Sequence, residues 1–113
     1  MFPESIGPIL LPGDRYPLDD ILNNIGLSYA FMKTDGKVSL QDRMAVILGA
    51  VKMPDDMNMG TFETETCVAS IKKEGYGRLH MYHGTRYTAQ VETHQGLAEL
   101  EFLVYKMESA RSN

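Results

Sequence analysis

The sequence predicts a single α+β domain over residues 1–113, in which an extended N-terminal arm and two short helices lead into an antiparallel meander of about four strands. Prolines and glycines crowd residues 1–16, which excludes a helix there. Two later segments carry apolar residues at helical spacing, and from Thr61 onward the apolar period changes to two. A length of 113 residues and a hydrophobic fraction of 43% suit one globular domain.

The arm is predicted to be extended because Pro3, Pro8 and Pro12 bias the residues before them toward extended backbone. Its apolar segment, Ile9-Leu10-Leu11, is expected to pack against the domain or against a second subunit. At the other terminus, residues 109–113 are expected to fray.

The first helix is predicted over residues 17–25. Pro17 suits the first helical turn, because its fixed φ is helical and its missing N–H is not needed there. Gly26 follows as a C-terminal stop. One apolar face has the spacing i, i+3, i+4, i+7 and consists of Leu18, Ile21, Leu22 and Ile25.

A second helix is predicted from Leu40 to about Lys52, after a short strand over residues 27–32 and a tight turn at Asp35-Gly36. Ser39 and Asp42 have the spacing of a capping box, in which each side chain bonds a free amide at the start of the helix. The apolar face consists of Leu40, Met44, Ile47, Leu48 and Val51. A loop over residues 54–60 is expected to follow.

The C-terminal half alternates apolar and polar residues, which predicts the strands of the sheet. Turns are expected at residues 72–75, at His83-Gly84 and at residues 93–96. The last strand, over residues 97–107, has an apolar face formed by Ala98, Leu100, Phe102 and Val104. Its other face is polar at the start and apolar at the end, so we expect a helix, the arm or a second copy in a homodimer to cover part of it.

The charge balance restricts the classes of partner. A net charge of −4 and a pI of about 5.3 argue against nucleic acid as a ligand, because phosphate binding requires a basic surface. The longest apolar run, residues 44–51, is too short for a membrane span, and the N-terminus lacks the pattern of a signal peptide. A cytoplasmic location is therefore expected. The single cysteine, Cys67, excludes an intrachain disulfide and is expected to be a buried thiol.

No cofactor or metal is predicted. The segment from Thr34 to Asp42 resembles the second half of an EF-hand calcium loop, but Phe31 and Lys33 stand where oxygen ligands are needed. The histidines, His80, His83 and His94, lack the spacing of a closed zinc site.

The segment Tyr82-His83-Gly84-Thr85-Arg86 is the one candidate for ligand chemistry. Its His-Gly-Thr triplet resembles the nicotinamide-side motif of ADP-ribosyltransferase-like folds, which implies a nucleotide or ADP-ribose site. The plainer interpretation is that Gly84 turns a hairpin and that His83 faces solvent.

A display of tyrosine and arginine side chains along the sheet predicts a binding surface, because both residue types are enriched at binding hot spots. Met57 and Met59 add a second candidate contact in the loop. The full set of candidate binding residues is Tyr76, Arg78, Tyr82, His83, Arg86, Tyr87, Met57 and Met59. No catalytic residue is predicted, since no segment carries a catalytic signature.

The leading hypothesis is therefore a small non-enzymatic interaction or regulatory protein that binds and modulates a protein partner. Small size, mild acidity and the lack of a catalytic motif are typical of accessory proteins of phages and mobile elements. The alternative is a small-ligand domain or small enzyme centred on His83-Gly84-Thr85-Arg86.

Overall fold

Two helices and five strands make up residues 17–107, the part of the chain that the computed structural model describes. The helices are α1 (Pro17–Asn24) and α2 (Leu40–Val51), and the strands are β1 (Leu27–Lys33), β2 (Met59–Glu63), β3 (Cys67–Leu79), β4 (Tyr82–Thr93) and β5 (Gly96–Lys106). One sheet holds all five strands in the order β1-β5-β4-β3-β2, and every neighbouring pair is antiparallel.

The predicted α+β class and the meander-like sheet are confirmed, but the strands number five rather than about four. The predicted arm and the predicted frayed tail lie outside the described residues. Neither described helix has the length and apolarity that crossing a bilayer requires.

One face of the sheet, the inner face, packs against both helices and forms the core. Along β3, β4 and β5, alternate side chains point into this core, which confirms the predicted apolar face of the last strand. The buried strand residues are Cys67, Ala69, Ile71, Tyr87, Ala89, Val91, Ala98, Leu100, Phe102 and Val104.

The opposite, outer face carries polar side chains over most of its area. Lys33 lies 2.7 Å from Glu99, and Arg86 lies 2.9 Å from Glu101. Leu103, at the apolar end of this face, is fully buried. A Cβ added at Gly77 would lie 3.1 Å from its Cδ1, so the backbone of β3 packs close to this leucine.

Helix α1 ends one residue earlier than predicted and buries a narrower face. Leu18 and Leu22 are fully buried, whereas Ile21 is 45% exposed and Ile25 is 59% exposed. Gly26, with a φ of 77°, makes the left-handed exit that glycine accepts most readily.

Helix α2 begins at the predicted cap, where the Ser39 hydroxyl accepts a hydrogen bond from the Asp42 amide at 3.1 Å. The capping box is only half formed, because the Asp42 carboxylate accepts from the Thr66 hydroxyl at 2.5 Å instead. At Gly49, an added Cβ would lie 2.7 Å from the Phe62 ring, so glycine allows this close approach of α2 to β2.

Replacing Ser39 with alanine should lower the free energy of unfolding by about 1 kcal/mol, because the Asp42 amide loses its acceptor. Ser39→Gly, the matched control, should cost only about a few tenths of a kcal/mol. Urea unfolding measures both. Equal stability of Ser39→Ala and the native protein would contradict this role of the cap.

The β3–β4 hairpin differs from its prediction. The turn expected at residues 72–75 is wrong: β3 continues to Leu79, and a β-bulge between Lys73 and Gly75 accommodates the glycine, whose φ is 100°. His83 and Gly84 belong to β4, and the connection is made by His80, with a φ of 55°, and Met81.

Strand β2 was not predicted. It pairs with residues 68–72 of β3 as an edge strand, and in its sequence, Met-Gly-Thr-Phe-Glu, Phe62 is the large apolar side chain on the inner face. The turns at Asp35-Gly36 and at residues 93–96 are confirmed.

Candidate functional site

A cleft of about 520 Å³ opens at the end of the sheet that carries the β3–β4 turn. We name it the sheet-end cleft, and its lining residues are Ser28, Met81, Tyr82, His83, Tyr105, Lys106 and Met107. It forms where β4 and β5 separate, since their pairing stops at Gly84 and Tyr105. The volume lies within the range of about 300–1,000 Å³ that is usual for ligand pockets.

Aromatic and thioether side chains form much of its wall. The rings of Tyr82 and Tyr105 stack at a centroid distance of 4.5 Å and an interplanar angle of 26°. Tyr82 is 40% exposed, Met107 is 46% exposed, and Met81, at the hairpin turn, is 76% exposed. The stacked rings restrict each other, so they offer a preorganised contact surface.

His83 connects the cleft to the inner-face side of the hairpin. Its Nδ1 forms a hydrogen bond with the Tyr76 hydroxyl, and the two ring centroids are 5.9 Å apart. Beside it, Arg78 donates from Nε to the His80 carbonyl oxygen at 2.9 Å. These bonds orient two exposed side chains, Tyr76 and Arg78, at the hairpin end.

This end of the sheet is locally basic in an acidic chain. The three segments that build it, residues 25–32, 75–86 and 102–107, contain Arg78, Arg86 and Lys106 and no aspartate or glutamate. Arg86 is paired with Glu101. Within residues 17–107, neither Arg78 nor Lys106 forms an ion pair.

The tyrosines and arginines predicted to share one surface are divided between the two faces. Tyr76, Arg78 and His83 have the inner-face orientation, whereas Tyr82 and Arg86 have the outer-face orientation. Of these five, Tyr82 and His83 line the cleft.

Tyr87 is a core residue. It is 7% exposed and its ring stacks on Phe102 at a centroid distance of 5.3 Å. Burial, and to a lesser extent the nearby Asp55 carboxylate, raise the pKa of its hydroxyl. It therefore adds to the packing of the inner face rather than to a binding surface.

Met57 and Met59 form a separate surface. Met57 closes a turn by donating its amide to the Pro54 carbonyl, and Met59 begins β2 instead of lying in a loop. They are 44% and 63% exposed. Met59 borders a shallow depression of about 240 Å³ between β2 and β3, which shares no residue with the sheet-end cleft.

The His-Gly-Thr-Arg segment does not converge on one ligand position. In β4, His83 and Thr85 lie on one face, and Arg86 lies on the other. Gly84 has a packing role, because a Cβ there would clash with the Val104 carbonyl oxygen and lie 2.8 Å from the Tyr105 Cα.

Five lining residues are absent from the predicted set: Ser28, Met81, Tyr105, Lys106 and Met107. Placing the hairpin turn at His83-Gly84 put Met81 inside a strand, where its exposure could not be recognised. A two-residue turn at His80-Met81 would have identified it.

Cys67 is buried, as predicted, and lies beside Asp42 and two threonines at the start of β3. Burial raises the pKa of its thiol. Among residues 17–107, no group of three histidine, cysteine, aspartate or glutamate side chains is arranged to hold a metal ion.

The thiol of Cys67 should react slowly with Ellman's reagent in the folded protein, because both burial and the raised pKa reduce its accessible thiolate. In denaturing urea the rate should rise by about tenfold or more. Equal rates in the two states would show that the thiol is accessible without unfolding.

Comparison with models of known protein families, with curated proteins and with solved structures finds no match. The exposed side chains around the sheet-end cleft are accordingly the basis for assigning a function.

Proposed function

We propose that this protein is a small non-enzymatic binding protein that docks onto a protein partner through the sheet-end cleft and thereby modulates that partner. The observation that carries the proposal is the concentration of exposed methionine and tyrosine side chains at this one end of the sheet. Met81, Tyr82 and Met107 border the same cleft and are 76%, 40% and 46% exposed.

Exposed apolar side chains that cluster in this way are typical of protein interaction sites. Tyrosine, arginine and methionine are enriched at interfaces, where tyrosine combines a large ring with a polar hydroxyl. The unbranched Met81 and Met107 side chains adapt their shape to a partner. The backbone joins a further exposed apolar residue to this patch, because the Met107 amide donates to the Gly26 carbonyl, next to Ile25.

A small-ligand function is the second candidate, and the cleft volume of about 520 Å³ favours it. A flat anionic ligand such as a nucleotide could stack on Tyr82 and approach Lys106. A thermal-shift screen with NAD and nucleotides tests this, since a ligand at about a hundred times its Kd adds about 2.7 kcal/mol of stability.

Site-specific photocrosslinking tests the proposed function. A photoreactive amino acid replaces Met81 in one variant, Met59 in a second and Leu97 in a third. The matched controls are also exposed, at 63% for Met59 and 62% for Leu97, but they lie on β2 and at the far end of β5.

In cells that express the protein, the Met81 variant should give a discrete crosslinked species of higher mass. Adding Tyr82→Ala should abolish it, because the substitution removes one of the stacked rings. A crosslink from Met59 or Leu97 but not from Met81 would overturn the assignment to this cleft.

A further inference from the structure

We infer, on the basis of the proposed function, that the sheet-end cleft receives an acidic segment of the partner, one that presents an aromatic or long aliphatic side chain next to carboxylates. The cleft provides apolar walls for the side chain and Lys106 for a carboxylate, and Arg78, next to the lining residue His83, provides a second cation. Neither feature alone would define the chemistry of the occupant.

The charged residues around the cleft are the first observation that supports an acidic occupant. The whole chain has 15 acidic and 11 basic residues, yet every charged residue within the three segments that form this end is basic, and the acidic Glu101 and Glu108 flank the last segment. Arg86 is neutralised by Glu101 at 2.9 Å, which leaves Arg78 and Lys106 as the uncommitted cations of this end within the described residues. A surface of this kind complements a carboxylate-rich segment and repels a basic one.

The positions of Arg78 and Lys106 are the second observation that supports an acidic occupant. Lys106 lies on the β5 side of the cleft, and Arg78 is the cross-strand partner of His83 on the hairpin side. Arg78 is already oriented by its bond to the His80 carbonyl, so little additional order is needed when it binds a carboxylate. A segment that fills the cleft would therefore meet Lys106 in its wall and Arg78 next to His83, at the hairpin edge of the cleft.

Nucleic acid fits these features less well. A polyphosphate backbone carries about one charge per 1.7 Å of duplex and needs a row of cations. The cleft is lined by one cation, Lys106, with Arg78 beside His83 as a second, on a chain with a net charge of −4. Within residues 17–107, a second copy of this chain offers exposed segments of suitable chemistry, such as Asp55-Asp56-Met57.

Selection from a displayed library of short random peptides on the immobilised full chain tests the inference. The expected result is enrichment of peptides in which aspartate or glutamate neighbours an aromatic or long aliphatic residue. The best peptide is then measured by fluorescence polarisation against the native protein and against three variants: R78E/K106E, Tyr82→Ala and Lys37→Glu. Lys37→Glu is the charge-matched control, because Lys37 is an exposed lysine near Thr93, at the far end of the sheet.

R78E/K106E should weaken binding by about tenfold or more, and Lys37→Glu should change it by less than about twofold. Tyr82→Ala should also weaken it. If Tyr82→Ala weakens binding while R78E/K106E does not, the cleft binds a segment of other chemistry, and the acidic assignment is overturned while the proposed function stands.

If neither variant weakens binding, or if no peptide is enriched, the inference is overturned. The proposed function is supported independently of the peptides if Tyr82→Ala and R78E/K106E each abolish the crosslink that Met81 gives in cells.

A fluorescent single-stranded oligonucleotide that binds more tightly than the best peptide would overturn the assignment of an acidic segment as the occupant. Self-association that Asp55→Lys disrupts would assign the cleft to a second copy and would overturn a separate partner.

Discussion

Replacing Gly84 with alanine should lower the free energy of unfolding by about 3 kcal/mol, the upper end of the usual cost of overpacking. The added methyl group would clash with the Val104 carbonyl oxygen and lie 2.8 Å from the Tyr105 Cα, and both are backbone atoms that no rotamer change can move. β4 and β5 would have to separate at the position where the sheet-end cleft begins. Urea unfolding at equilibrium gives the magnitude.

Gly36→Ala is the matched control for this substitution. No atom lies within 4 Å of a Cβ added at Gly36, and its φ is not in the left-handed region. Its free energy of unfolding should change by less than about 0.5 kcal/mol. A Gly84→Ala variant as stable as Gly36→Ala would contradict the close approach of the two strands.

Phe102→Ala should have the largest effect among core substitutions, about 3–5 kcal/mol. The ring is fully buried on the inner face, where it contacts Phe31 in an edge-to-face arrangement and stacks on Tyr87. Its loss removes the transfer free energy of a large side chain and leaves a cavity in the core.

Leu97→Ala on the same strand controls for the loss of an apolar side chain, because Leu97 is 62% exposed. It should cost less than about 0.5 kcal/mol. Differential scanning calorimetry of both variants measures the contrast, and a similar melting temperature for the two would show that the inner face is not the core.

The sequence was informative where local chemistry determines the structure. Ser39 has extended backbone angles, and its hydroxyl caps the helix that follows by accepting a hydrogen bond from the Asp42 amide. The sequence therefore predicts the first residue of α2 correctly. The apolar face of β5 was predicted for a similar reason. Burial of one face of a strand requires apolar and polar residues to alternate along it, and that alternation is visible in the local sequence.

The sequence was less informative where a bulge or pairing with a neighbouring strand determines the backbone conformation. Lys73, Glu74 and Gly75 have the composition of a turn, but pairing with β4 on one side keeps them in β3 and a bulge accommodates the extra residue. The bulge also changes which side chains share a face. The tyrosines and arginines of the hairpin are consequently divided between two faces, and no local pattern indicates that division.

The candidate site depends on the same long-range geometry. Tyr82 and His83 were predicted as binding residues because of their type, and the structure places both at the cleft. Met81 and Met107 are 26 positions apart in the sequence, yet both line the cleft. They do so because β4 and β5 are neighbouring strands whose pairing ends at Gly84 and Tyr105, before these methionines. Only the register of the strands reveals that arrangement.

NMR of methionine methyl groups distinguishes protein binding at the sheet-end cleft from binding elsewhere and from binding of a small molecule. The chain contains 8 methionines, among which Met81 and Met107 line the cleft, Met57 and Met59 mark the other exposed surface, and the buried Met44 is an internal reference. Spectra are recorded with the dialysed macromolecules of a cell extract and, separately, with its small molecules.

The Met81 and Met107 signals should shift, or broaden more than those of Met57, Met59 and Met44, with the macromolecules, and they should not change with the small molecules. Changes with the small molecules alone, changes confined to Met57 and Met59, or no change at all would show that the cleft does not bind a protein.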